Sequence, residues 1–479
     1  PDFRLRDGSH IVVVGAGPAG TFFAHWARRL AREQGIDVAI TMCDGKSFAR
    51  QGPIGCNMCA GVISGPLVDR LEQLGFRLPE QRVQRRIDGY YLQTVAGGFP
   101  LDHPDGRRAI RTVFRGNGPR FATQTANISF DDFLLDRVKG EGITMVPFPV
   151  QEIHLPADPH RPVTVIFGDK QERSELQADL VVGAFGLNTA LLDKVRALGF
   201  GYRPPRSRRV CQAELPVGRE WIERHLQNRI VVLAMRFGVV HLAVLTPKAE
   251  HVTLTLLGHA DVTLADLHAF LAHPAARAVL PPDWALPVGS FCHCFPRLAV
   301  TAARRPCADR LVLIGDASFS RYYKNGIESA LVTAQLAAET AFRYGVSAAC
   351  FTEGYLKPAS KLIVRDNFYG RLLFRLPDLL SANAALAETQ QRIATAPQPE
   401  YAARVLRRNL WNVFTGDVPY RDIFWQVCDP RLLARLGLVD CNRASFKGLA
   451  VEHADGIRRI GIGRHRDKGK SAGPARELV

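Results

Sequence analysis

The chain has 479 residues, 47% hydrophobic and 23% charged, with a formal net charge of +16 at neutral pH. That length supports two to three domains with ample core, and the balance excludes a disordered or fibrous chain. No run of about 18 uninterrupted apolar residues exists to span a membrane; the best stretch, 230–245, is broken by Arg236 and His241.

Ten cysteines in a chain of this size do not read as a secreted disulfide framework. The first apolar run is a strand rather than a signal peptide, so a cytoplasmic protein is expected. The positive charge collects at Arg203, Arg206, Arg208 and Arg209, at Arg407 and Arg408, and in a glycine-rich tail over 451–479 that lacks apolar period and is expected to be disordered. Such a surface suits an anionic membrane, contacted peripherally, or an acidic protein partner. No zinc-finger spacing or RNA-binding motif accompanies it, so nucleic acid is not the expected partner.

The first element is the most informative. Ile11, Val12, Val13 and Val14 run into Gly15, Ala16, Gly17, Pro18, Ala19 and Gly20, and a helical pattern follows over 21–31. A buried strand, a tight glycine turn and a helix N-terminus, in that order, form a cradle for a dinucleotide pyrophosphate. Gly15 permits the turn, Gly17 admits the phosphates, and Gly20 lets the helix lie close to the strand. The helix end offers free N–H groups and its positive dipole. A second strand over 38–43 ends in Asp44, placed to accept hydrogen bonds from adenosine ribose hydroxyls.

A glycine-rich loop follows, beginning near Arg50 and carrying Cys56-x-x-Cys59, and leads into a helix over 66–74. Residues 88–125 read as polar strands. Ser129 caps a helix to Lys139 that places Phe130, Phe133, Leu134 and Val138 on one face. Strands follow over 143–148, 163–167 and 178–186. From Val210 the pattern is all-β, with a three-strand antiparallel meander over 231–235, 239–245 and 251–257 and then a helix over 264–271. Cys292-His293-Cys294 follows. The chain then returns to the nucleotide fold with a strand ending in Gly315, Asp316 and Ala317 and a long helix from Gly326 to about residue 344. Residues 350–450 are mostly helical.

The opening glycine motif, together with Gly315-Asp316-Ala317 and Gly326-Ile327-Glu328, resembles the flavoprotein superfamily with the p-hydroxybenzoate-hydroxylase fold. Within it the chain looks most like the geranylgeranyl reductase family. The resemblance implies an α/β protein, α+β overall: a Rossmann-like FAD-binding domain with a central parallel sheet, an inserted antiparallel β-sheet substrate domain and a helical C-terminal region. The FAD domain is expected over 8–85, 126–200 and 298–350, the substrate domain over 86–125 and 201–297, and the helical region over 351–450.

The same resemblance implies that Asp316 holds the ribityl chain and that Gly326 and Ile327 aim helix N–H groups at the flavin ring. Gly15, Gly17, Pro18, Ala19, Gly20, Asp44, Arg50, Val150 and Gly315 complete the FAD set. NAD(P)H is expected only as a transient reductant, since no second nucleotide fold is evident. The chain departs from the pattern at three places. Phe185-Gly186 stands where the superfamily has Asp-Gly, Asn127 replaces an arginine before the Phe-Asp helix, and Arg321 and Lys324 replace small or neutral residues before Gly326. A cation there would raise the flavin potential.

Cys56, Cys59, Cys292 and Cys294 read three ways: a zinc or iron–sulfur site, a redox dithiol, or packing. His293, Tyr322 and Lys324 join Cys56 and Cys59 as catalytic candidates. The implied function is FAD-dependent reduction of C=C bonds in an apolar, prenyl-type substrate. The alternatives are an FAD monooxygenase on an aromatic substrate, or an electron-transfer flavoprotein passing electrons from a protein donor to quinone.

Overall fold

The computed structural model describes residues 3–103, 110–169, 171–285, 291–376, 378, 382–396 and 401–437. Its first sheet is built on the opening valine run. The strand Ser9–Val14 pairs in parallel with Val38–Cys43 on one side and with Leu180–Gly183 on the other. Thr144–Val146 and Leu311–Leu313 extend the parallel set, and Cys307–Ala308 adds an antiparallel edge. Both faces of this sheet are covered, which is why its central strands are apolar throughout rather than alternating.

One face carries the helix Pro18–Gln34, which ends at Gly35 in the left-handed conformation, with φ of 68°. It packs against the helix Gly326–Arg343 within one core. Ala24 and Ala27 on the first and Ala334, Ala337 and Ala338 on the second are at most 1% exposed, and such small residues let two helices approach closely. This pairing brings the two glycine motifs, distant in sequence, to one end of one sheet. The expected strand to residue 317 is shorter than the pattern suggests. After Leu311–Leu313, Gly315 takes φ of +61° and Gly315–Ala317 becomes a 3₁₀ turn.

The expected meander forms the centre of a seven-stranded sheet: Arg229–Leu233, Val240–Pro247 and His251–Gly258 are antiparallel neighbours. Cys211–Pro216 and His293–Cys294 continue it at one side, Gly89–Thr94 and Gly97–Asp102 at the other. The strands of 86–125 divide between sheets, because Ile110–Thr112 pairs instead with Val62–Ile63 and Arg85–Ile87. One face of the large sheet buries Tyr90, Leu92, Ile230 and Val232 in a core shared with Trp411 and Phe414. Those last two lie on the helix Tyr401–Thr415, so the helical C-terminal region closes that face.

Ser129 caps Phe130–Lys139 as expected, accepting from the Asp132 amide. Among the described residues no helix is long and apolar enough to cross a membrane. The basic tail over 451–479 lies outside the described residues.

Candidate functional site

A single cavity of about 680 Å³ runs from Asp44, past Gly17 and Pro18, to Asp316, Gly326 and Ile327. Its first part is the glycine cradle. Gly15 has φ of +105°, and a Cβ there would stand 2.7 Å from the Ala184 carbonyl oxygen. A Cβ on Gly20 would stand 2.0 Å from the carbonyl oxygen of Gly15. Neither position tolerates a side chain without moving backbone. Around Gly17 the nearest such neighbour is the Asn57 amide nitrogen at 3.4 Å, so this glycine presents open backbone to the groove.

Asp44 fastens the cradle to the second strand: Oδ2 accepts from the Ala16 amide at 2.8 Å and Oδ1 from the Lys46 amide at 2.8 Å. A carboxylate has about four acceptor positions, so two donors leave capacity for hydroxyl groups.

Residues that sequence reasoning missed line the groove across from the glycine turn. Lys46 reaches over to the Cys56 carbonyl and the Asn57 side-chain oxygen, both at 3.1 Å. Asn57 donates to Asp131 Oδ2 at 2.5 Å. Arg115 binds the same carboxylate with two hydrogen bonds, Nε to Oδ1 at 2.5 Å and Nη2 to Oδ2 at 2.8 Å. Arg115 is 8% exposed and Asp131 1%. Burial works against the guanidinium charge, but the Asp131 carboxylate and Cys59 beside it outweigh that and hold Arg115 more firmly protonated than a free arginine. The sequence held one signal for this pair: Asp131 sits in the first turn of a capped helix behind apolar Phe130, where an aspartate that faces inward needs a cation.

The far end of the groove is built by the second motif. Asp316 projects between the 3₁₀ turn and the start of the long helix, and a Cβ on Gly326 would lie 4.0 Å from its Oδ1. Burial raises its carboxyl above the ordinary aspartate value, while Ser320 and Arg115 pull it back down. Asn325 adopts the left-handed conformation, with φ of 52°, and so turns the chain into the helix. Asn325, Gly326 and Ile327 all line the cavity, so the first free N–H groups of an 18-residue helix end there.

Of the expected FAD residues, Gly15, Gly17, Pro18, Ala19, Asp44, Val150, Gly315, Asp316, Gly326 and Ile327 line this one cavity. Gly20 lies behind it, under the turn. Arg50 is exposed and does not line it; its carbonyl instead accepts from the Asn117 amide at 3.2 Å. Phe185 and Gly186, which replace the Asp-Gly of the resemblance, do line it.

Of the catalytic candidates, Cys59 and Lys324 line the cavity; Cys56, His293 and Tyr322 do not. Tyr322 and Tyr323 both join an aromatic cluster with Phe374, and of the two only Tyr323 also lines the cavity. His293 lies in the edge strand, its Nδ1 3.2 Å from the Phe291 carbonyl and its ring against Phe291 and Phe295.

Both cations before the helix line the cavity, but their partners differ. Arg321 is committed to the C-terminal helices: it donates to the carbonyls of Gly416 and Val418, stands 3.6 Å from Asp366 and lies over the Tyr420 ring. Lys324 lines the cavity, and burial lowers its amine from 10.5 to about 8.

Among the described residues, no three of Cys56, Cys59, Cys292 and Cys294 bring their sulfurs together as a ligand set. Cys56 accepts from the Met58 amide at 3.2 Å, and burial raises its thiol. Cys292 accepts from the Arg120 amide at 2.9 Å. The four thiols are free.

The arrangement is the fold of FAD-binding flavoproteins: a parallel nucleotide sheet, a glycine cradle, and a Gly-Asp turn with its helix, facing an antiparallel sheet. Among solved structures, the chain is similar to a flavoprotein/dehydrogenase from Cytophaga hutchinsonii at 17% identity and a TM-score of 0.59, covering 94% of this chain and 100% of that one. It is also similar to a geranylgeranyl bacteriochlorophyll reductase-like protein from Thermoplasma acidophilum, at 13% identity and TM-score 0.60 over 90% and 99% of the two chains. A p-nitrophenol 4-monooxygenase from Pseudomonas putida matches at 15% identity and TM-score 0.53 over 90% and 99%. No protein-family model and no curated protein matches the sequence.

Proposed function

We propose that the chain is an FAD-dependent oxidoreductase that reduces a C=C bond in an apolar, isoprenoid-like substrate. The observation that carries this reading is the continuity of the cavity. The groove between Gly17 and Asp316 opens without a break onto an apolar chamber lined by Ile230, Val232, Val244, Leu257, Leu298 and Phe414. The residues present fit the cofactor. Gly17 and Pro18 leave room for phosphate at a helix N-terminus, Asp44 keeps acceptor capacity for ribose, and the Asp316 carboxyl faces into the groove where hydroxyl donors would satisfy it. Bound there, FAD would supply the hydride chemistry.

The chain's own part is positioning, exclusion of water and electrostatics. The sheet face and the helix Tyr401–Thr415 line most of the chamber with apolar side chains, with Gln212, Thr246 and Thr255 as polar points among them, so a charged substrate without a partner there would lose more in desolvation than it gains. The N-terminus of Gly326–Arg343 and the Lys324 amine both favour negative charge at their end of the groove. Cys59 and Lys324 are the two candidates that reach the reacting space, and we assign them there.

Two expected results follow. Lys324→Met should lower the two-electron midpoint potential of the bound flavin by about 40 mV, since a unit charge at intermediate dielectric is worth ~2 kcal/mol. The lysine is charged below about pH 8 and neutral above it, so the wild-type potential should converge on that of the variant as pH rises through 8. Spectroelectrochemistry between pH 6.5 and 9.5 reads both; equal potentials below pH 8 remove Lys324 as a source, and an offset that persists to pH 9.5 shows that the amine keeps its charge there. Cys59→Ser should lower turnover, whereas Cys56→Ser should not, because only Cys59 reaches the cavity. Equal turnover in both variants removes Cys59 from the site.

The function itself is tested by photoreducing the protein anaerobically and adding prenyl substrates, with mass spectrometry to detect a gain of two hydrogens. Rapid oxidation of the reduced protein by oxygen, with hydroxylation of an added phenol, would replace the reductase reading by the monooxygenase one. The p-nitrophenol monooxygenase shows that the fold itself is compatible with that chemistry.

A further inference from the structure

On the large sheet, away from the lining of the cavity, lies a cluster that none of this chemistry uses. His241 is the extra residue of a β-bulge: Val240 pairs with Gly258 and Leu242 with Leu257, leaving His241 unmatched between them. A bulge re-aims a side chain out of the pleat's alternation. Here the ring is turned onto that of His259, with centroids 4.2 Å apart and planes 19° from parallel. His259 Nε2 lies 2.8 Å from Asp378 Oδ1. One ligand atom from each of the three residues lies within 4.8 Å of the other two.

His241 is only 5% exposed, and its Nδ1 is buried without a hydrogen-bond partner among the described residues. A buried ring nitrogen left unpaired is costly. An ion bound through that nitrogen would resolve the cost. Two imidazoles and one carboxylate form a ligand set for zinc-class divalent ions rather than for calcium or magnesium, which take oxygen donors. Ligands about 2.0–2.2 Å from zinc stand about 3.3 Å apart in a tetrahedron, so closing the trio draws the ligand atoms together and turns the two stacked rings until their nitrogens converge.

We propose that His241, His259 and Asp378 bind one zinc-class divalent cation, with a fourth position left for water. The charge at the site is mixed. Arg208 and Arg236 face His241 and oppose a cation, while Asp378 favours one. Arg208 is itself held by the Gly258 carbonyl at 2.9 Å and the Tyr323 hydroxyl at 3.1 Å. The ion would tie the bulge of the substrate-side sheet to Asp378, and His241 faces Arg208, which holds the cavity-lining Tyr323. It would serve as a positioning site for that wall of the cavity, not as a reaction centre.

The test uses the full-length protein as purified, dialysed against a chelator and titrated with Zn²⁺ or Co²⁺ by calorimetry and visible spectroscopy. One ion per chain is expected, with Co²⁺ d–d bands, and His241→Gln and His259→Gln should each weaken binding by at least about tenfold. Joint replacement of Cys56, Cys59, Cys292 and Cys294 by serine should leave the ion bound. Circular dichroism monitors folding of the histidine variants. Asp378→Asn, which alters the ligand whose side chain is 21% exposed, repeats the test should they misfold. Unchanged affinity in the ligand variants, loss of the ion in the cysteine variant, or no binding to the wild type overturns the proposal.

Discussion

Arg115→Met should destabilise the protein by about 3–5 kcal/mol, the cost of leaving a buried carboxylate without its cation. Asp131 is 1% exposed, and its two oxygens take both guanidinium hydrogen bonds as well as the one from Asn57. The methionine fills much of the volume but offers no donor, so Asn57 alone would remain on that carboxylate. For domains of this size, each kcal/mol moves the thermal midpoint by roughly 2 °C, and a drop of about 6–10 °C is expected in the FAD-free protein. Measuring without cofactor matters, because Arg115 also lines the groove and would otherwise report binding as stability. Arg115→Met combined with Asp131→Leu should lose less than Arg115→Met alone, since the unpaired charge then disappears with its partner. A midpoint within 1–2 °C of wild type in Arg115→Met would show that solvent or a neighbour satisfies Asp131 and that the pair is not structural.

This pair also marks where sequence reasoning stopped. The cradle was legible because each of its parts is local: four apolar residues, then glycines at fixed offsets, then a helix. The same holds for Gly315, Asp316 and Gly326, whose spacing with a strand before and a helix after survives in the structure. The meander was legible from β-branched runs, and the Ser129 cap from a serine before an apolar face.

Arg115 meeting Asp131, and Lys46 meeting Asn57, depend on how a loop folds back over the groove, and no periodicity records that. The same limit explains the candidates that lie outside the cavity. His293 and Cys56 sit one or a few residues from cavity-lining positions, and the turn to one face or the other is set by strand register and loop closure. Tyr322 and Tyr323 are the sharpest instance. Both rings pack on Phe374, yet only Tyr323, with φ of 59°, also lines the chamber. His241 was legible only as a break in an apolar stretch; that it forms a bulge is a property of pairing with Gly258 and Leu257.

Asp316→Ala should weaken FAD binding by about 100-fold while leaving the apoprotein at least as stable as wild type. The two halves of this expectation have one cause. Burial raises the Asp316 carboxyl above its ordinary value of 3.8, so its charged form is penalised in the FAD-free fold. A raised folded-state value means that the wild-type apoprotein loses stability as pH rises from 3.8 through that value, relative to a variant lacking the group. Asp316→Ala should therefore match wild type at acid pH and gain on it toward neutrality. Hydroxyl groups of the ribityl chain would offset the penalty when FAD is bound. Hydrogen bonds to a charged acceptor are worth about 1.5–3 kcal/mol each, and ~2.7 kcal/mol is the hundredfold loss expected when they are removed. Equilibrium dialysis reads the first half and thermal unfolding across pH the second. Retained FAD with unchanged stability would mean that Asp316 faces no ligand. Lost FAD with lost stability would mean that it is a structural residue, and the cofactor reading would then stand on the glycine cradle alone.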